Sequence, residues 1–251
     1  MAQPHTLNDL SAASTIPTTQ IQLWDWPVRV FHWSLLAAVT TAIVTGKLGG
    51  AWMGWHGVAG QVILGLVVFR IVWGFLGSTY ARFTTFVPTP ARILAYLKGQ
   101  RHGVGHNPLG ALSVLALLGL LAVQATTGLF SNDDIAFTGP LAGFVDEALS
   151  LSLTAWHHRL VNVLFALLGL HVLAILFYVH VKKDNLVKPM VTGIKEVPIT
   201  TPAPRKAGWL AFLTSTAIAL GVVYGASAAW QQQAPAPAPP STGINSGAPG
   251  W

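Results

Sequence analysis

The chain has 251 residues, of which 52% are hydrophobic and 9% charged, with a formal net charge of +6. Soluble domains are usually ~25% charged, so a soluble fold is excluded, and the positive charge needs no nucleic acid because the basic residues gather in particular loops, as in membrane proteins. There is no cysteine, which excludes disulfides, iron–sulfur clusters held by this chain, thiolate-ligated haem and covalent haem attachment through C-x-x-C-H.

Residues 1–22 are polar and read as a flexible tail. They lack the basic start and apolar core of a cleaved signal, so the first span is expected to act as its own insertion signal. Trp24, Trp26 and Trp33 form an aromatic group suited to a membrane interface. Pro27 suits a first helical turn. The first span is expected from Val28 to Lys47, with His32 one turn in, and the second from Trp55 to Leu76, with His56 at its start and Arg70 near its end. The polar stretch Gly77–Pro108 holds Arg82, Arg92, Lys98 and Arg101 and no acid, and Thr89–Lys98 reads as a short surface helix. Asn107-Pro108 is an N-cap and first-turn pair that opens a third span, Leu109–Phe130.

The loop Ser131–Ala155 contains Asp133, Asp134, Asp146 and Glu147 and no Lys or Arg. The fourth span is Trp156–His180. Lys182, Lys183, Lys188, Lys195, Arg205 and Lys206 follow it. The organisation expected is a tail (1–22), a four-helix membrane domain (23–195), a linker (196–206), a fifth transmembrane helix (207–230) and a Pro/Ala/Gly-rich tail (231–251). Basic loops stay in the cytoplasm. The N-terminus is therefore expected inside, and the acidic loop and the C-terminal tail outside.

Four histidines stand in or at the ends of these spans. His157 and His171 are fourteen residues apart, which at ~100° and ~1.5 Å per residue puts both on one helix face, ~21 Å apart. One then lies toward each side of a hydrocarbon core ~30 Å thick. With alternating helix directions, His32 matches the depth of His171, and His56 that of His157. Each pair would clamp one flat macrocycle between helices. A histidine at a helix end also snorkels to the interface, whereas one as deep as His171 must be satisfied and usually marks function. Zinc wants four close ligands, and these histidines lack acidic companions. Bis-imidazole ligation leaves iron no open position and so favours electron transfer.

Arg29, Arg70 and Arg159 lie near span ends, where a guanidinium would suit haem propionates, with snorkelling to lipid headgroups as the ordinary alternative. Gly60, Gly65, Gly119 and Gly128 would allow close approach of a ring or helix. His158 points away from His171. His5, His102, His106 and His180 read as tail, loop or interfacial residues.

The motifs WDWPVRVFHW (24–33), FRIVWGFLGSTYARF (69–83), GHNPLGAL (105–112), TTGLF (126–130) and HHRLVNVLFALLGLH (157–171), with the region of His56, resemble the bacterial b561-type di-haem cytochromes, a superfamily that includes the cytochrome b subunits of nickel–iron hydrogenases. The resemblance covers about residues 23–195. It implies an all-α membrane core with two b haems, held by His32, His56, His157 and His171. It also implies electron passage between the quinone pool, ubiquinone or menaquinone, and a periplasmic redox partner such as a c-type cytochrome or a dehydrogenase subunit. The fifth span and the tail depart from the family's four-helix pattern.

The reading favoured is an electron-transfer subunit rather than a self-contained enzyme, with a homo-oligomer compatible. The alternatives are a superoxide:ubiquinone oxidoreductase, which the acidic outer loop disfavours by repelling an anion, and a haem-free ion or proton transporter, which leaves the depth-matched pairs unexplained.

Overall fold

The computed structural model describes residues 17–100, 104–135 and 137–232. The elements run β1 (Thr18–Gln22), α1 (Trp26–Leu48), α2 (Met53–Leu76), α3 (Phe83–Phe86), α4 (Pro90–Leu97), α5 (Pro108–Leu129), α6 (Glu147–His180), α7 (Val187–Thr192), β2 (Ile194–Pro198) and α8 (Trp209–Gln232). Five of these helices are long and apolar enough to cross a membrane. The protein is a multi-pass, all-α membrane protein, as expected.

Local sequence chemistry starts these helices. The Asp25 side chain accepts from the Val28 amide at 2.9 Å, with Pro27 in the first turn of α1. Asn107 accepts from Gly110 at 2.7 Å ahead of Pro108, and Asp146 from Leu149 at 2.9 Å. Each cap satisfies an amide that the first turn would otherwise leave unpaired. The surface helix α4 is capped in the same way by Thr89.

The helices pack as two groups, α1–α2–α8 and α5–α6, joined where α2 meets α5. The shared core is Ala38, Val39, Ile63, Val67, Leu118, Leu121 and Leu164. Between lipid-facing helices there is little hydrophobic driving force, and close packing has to supply the attraction. The α2–α8 contact follows that rule: a Cβ on Gly65 would stand 3.0 Å from Val223.

Three expectations are corrected. Residues 18–22 are not a free tail. They form β1, which pairs antiparallel with β2 in the register Thr18↔Pro198 to Gln22↔Ile194. This pairing also runs through the expected boundary at 195/196, so the first part of the linker belongs to the membrane domain. The clasp is fixed by Leu23 and Trp24, whose amides donate to the Gly193 carbonyl. Second, the fourth helix starts at Glu147, not Trp156, because Asp146 caps it and Glu147 complements its positive N-terminal dipole. Its 34 residues would span ~51 Å, well beyond a hydrocarbon core of ~30 Å. Third, His106 is not solvated. It is wedged between Trp24 and Phe86, each at a ring-centre distance of 4.6 Å. His5, Arg101, His102 and the tail from 233 lie outside the described residues.

Candidate functional site

α2 and α6 bring His56 and His157 next to each other near the ends of their helices that adjoin the acidic loop. Their ring centres are 6.1 Å apart and the ring planes are inclined at 84°. His56 Nδ1 lies 2.8 Å from the Ala42 carbonyl oxygen on α1. His157 Nδ1 lies 3.0 Å from the Gln124 carbonyl oxygen and 3.2 Å from Thr127 Oγ1 on α5. A carbonyl can only accept, so in both rings Nδ1 carries the hydrogen. In the neutral ring that tautomer leaves Nε2 with a free lone pair. Gln124 Nε2 in turn donates to the His157 carbonyl at 3.0 Å, which locks α5 to α6 here.

Two glycines make room for these rings. A Cβ on Gly46 would sit 2.8 Å from His56 Nδ1, and one on Gly128 would sit 3.1 Å from His157 Cε1. Phe137, from the acidic loop, meets His56 edge-on at 6.3 Å and covers the pair.

The second pair is set differently. His32 on α1 and His171 on α6 are near enough for their charges to interact. Ser113 Oγ is 3.5 Å from His171 Nδ1, a long contact. His32 Nδ1 is buried without a partner.

The same end of the bundle holds more buried polar atoms. Arg70 is 3% exposed. Its guanidinium carbon lies 5.2 Å from the ring centre of Phe83 and 5.9 Å from that of Phe86, and one terminal nitrogen has no partner. Its electrostatic counterpart is Asp25, whose carboxylate accepts from Val28 N, Trp73 Nε1 and Ser78 Oγ. His106 Nδ1 is likewise buried and unpartnered. Burial and the nearby Arg70 hold the His106 imidazole down at about 3, so it is neutral. Arg29 donates to the Val191 carbonyl, while its Nε is buried alone.

Of the three arginines expected near the histidines, Arg70 and Arg29 are drawn inward. Arg159 is exposed and stacks on Trp156 at 5.5 Å, two residues round the helix from the His157 face. His158 and His180 are exposed.

A metal–imidazole bond of ~2 Å on either side of one ion puts two coaxial ring centres roughly 6 Å apart, and His56 and His157 meet that separation. Among the described residues no cluster of three or more His, Asp or Glu exists that would hold a bare metal ion. Two adjacent imidazoles, glycines against the rings and unpartnered buried polar atoms near the second pair fit a haem group rather than a zinc site.

The fold is a membrane-spanning helical bundle that carries histidines within its spans. The family model of the prokaryotic cytochrome b561 matches residues 23–193, and the chain belongs to that family. Membrane electron transfer with b-type haem is the class of function this establishes.

Among curated relatives, the chain is 22% identical over 240 residues to a probable Ni/Fe-hydrogenase B-type cytochrome subunit of Bradyrhizobium diazoefficiens, covering 75% of this chain and 91% of that protein. It is 24% identical over 210 residues to the probable Ni/Fe-hydrogenase 1 B-type cytochrome subunit of Escherichia coli K12, covering 69% and 89%. The Rhodobacter capsulatus counterpart is 26% identical over 217 residues, covering 70% and 81%. No solved structure matches the chain. The family match ends before α8.

Gln124, Gly46 and Phe137 are site residues that the sequence did not single out, and His106 and Thr127 stood inside the motifs that carry the resemblance, with no role at the histidines. An Asn- or Asp-capped helix start is readable, but a backbone carbonyl acting as partner to a ring nitrogen is not.

Proposed function

We propose that the chain carries two b haems, one held by His56 and His157 and the other by His32 and His171, and passes electrons across a bacterial inner membrane between quinone and a periplasmic redox partner. The observation that carries this reading is the opposed His56–His157 pair, 6.1 Å apart with both Nδ1 hydrogens committed to backbone carbonyls. Haem supplies reversible one-electron chemistry at its iron.

The chain's own part is to present Nε2 lone pairs, fix the ring planes and exclude water. The hydrogen bonds to Nδ1 hold each outer ring and raise its basicity as a ligand. At the inner end, Arg70 is fourteen residues after His56 on α2, so it shares that face ~21 Å further along. This is the depth of His32 and His171. A cofactor carboxylate there would satisfy the free Arg70 nitrogen, which is costly to leave unpaired when buried, and neutral His106 adds a second donor or acceptor beside it.

In this reading the Arg70 end faces the cytoplasm and the acidic loop the periplasm, which the basic loops support. The partner would meet the periplasmic end, where Asp133, Asp134, Asp146 and Glu147 favour a basic surface. The names of the relatives point to a nickel–iron hydrogenase as that class of partner. A c-type cytochrome suits the same chemistry.

The test is reduction of the purified, haem-loaded protein in proteoliposomes by ubiquinol or menaquinol analogues. Reduction of both haems, followed by reoxidation on adding a soluble c-type cytochrome, is expected. Haem-loaded protein that neither quinol reduces would overturn the quinone assignment. A colourless protein, expressed with ample haem, would favour the transporter alternative.

A further inference from the structure

The α8 helix makes a cavity with the family core, and the haem reading does not use it. It holds about 320 Å³ between the start of α1, the end of α2 and the segment leading into α8. Arg205 and Lys206 stand at its rim, and Trp26, Trp209 and Phe212 wall it. The three rings pack together, Trp26 lying 4.7 Å from Phe212 and 6.3 Å from Trp209.

Both cations are exposed, and among the described residues neither has a carboxylate partner. Their backbone is held in place, because the Arg205 amide donates to Thr79 Oγ1 at 2.8 Å and the Thr79 amide donates to the Arg205 carbonyl at 3.2 Å. The cavity's acid, Asp25, is already taken by three donors and balanced by Arg70. The free charge in the cavity is therefore positive. Beyond the rim the surface turns apolar: Trp209, Leu210 and Leu213 are 71%, 78% and 58% exposed on α8.

We propose that this cavity binds the headgroup phosphate of an anionic glycerophospholipid, with the acyl chains lying along α8. Arg205 and Lys206 supply the charge, interfacial tryptophans flank the glycerol region, and the apolar face of α8 takes the tail. A free phosphate would use only the first of these. Basic pockets between membrane helices recognise lipid headgroups by this combination.

The test uses the full chain in nanodiscs, comparing phosphatidylglycerol mixed into phosphatidylcholine with phosphatidylcholine alone. Native mass spectrometry counts retained lipid. Each cation near a membrane surface is worth roughly fivefold in affinity, so R205Q/K206Q is expected to retain phosphatidylglycerol roughly 30-fold less well. The charge-conserving R205K/K206R should retain it. K182Q/K183Q, which removes the same charge on the same side but outside the cavity, should lower retention clearly less than R205Q/K206Q does. Equal losses in the two glutamine variants would overturn the proposal, since they would reflect general surface charge. So would millimolar inorganic phosphate raising the melting temperature as much as phosphatidylglycerol does.

Discussion

The two histidine pairs sit in one bundle, yet the chain prepares them differently. At the outer end, His56 and His157 have hydrogen-bonded Nδ1 atoms, a glycine against each ring and Phe137 above. At the inner end, His171 has one long contact to Ser113, His32 has none, and Arg70 and His106 keep buried atoms without partners. Hydrogen bonds within the chain preorganise the outer site, where among the described residues Gln124 Oε1 is the buried polar atom left without a partner. The inner site is completed by what binds there. Because a buried unsatisfied polar group costs ~1–3 kcal/mol, ligand binding should stabilise the inner end more than the outer.

The largest effect expected is from removing one ligand of each pair. His157→Ala/His171→Ala should abolish the haem absorbance, read as pyridine haemochrome per chain. Next, Gly128→Val would drive a side chain into the His157 ring. It should lower occupancy of one haem severalfold while the other keeps its spectrum, whereas a valine at Gly169, which has open space around it, should leave both unchanged.

A smaller effect is expected from Thr127→Val. Loss of a hydrogen-bonding partner behind a ligand typically costs ~10–100-fold in metal affinity, but the Gln124 carbonyl remains to hold Nδ1, so the change should fall at or below the low end. Ser113→Ala should do less still, because its contact to His171 is long. Redox titration of the two haems separates these outcomes.

The smallest concerns acid stability. His106 sits at about 3 in the folded protein against 6.5 for the free side chain. Between those values the unfolded chain binds the proton and the folded one does not. Stability is then fully present above pH 6.5 and falls as pH drops toward 3. His106→Phe should lessen that slope in thermal melts taken from pH 7 to 4.

Much of this was legible in the sequence. The five spans and the cap at Asn107 follow from hydropathy and capping chemistry. What escaped was non-local. β1 and β2 are separated by more than 170 residues, and nothing within Thr18–Gln22 announces a partner. His106 looks like a loop histidine until Trp24 and Phe86, distant in sequence, close on it. Arg159 sits near His157 in sequence, but two residues of helix turn it onto Trp156. The partners of the ring nitrogens are backbone carbonyls, which every residue carries, so no side-chain pattern marks them.

The central claim is the pairing of ligands by depth. Its most direct test is the residual reduced-minus-oxidised spectrum of four single variants, His32→Ala, His56→Ala, His157→Ala and His171→Ala. The account predicts two classes: His56→Ala and His157→Ala lose the same haem, and His32→Ala and His171→Ala lose the other. A residual spectrum shared by His56→Ala and His171→Ala, or loss of both haems' distinct signatures in no pairwise pattern, would contradict it.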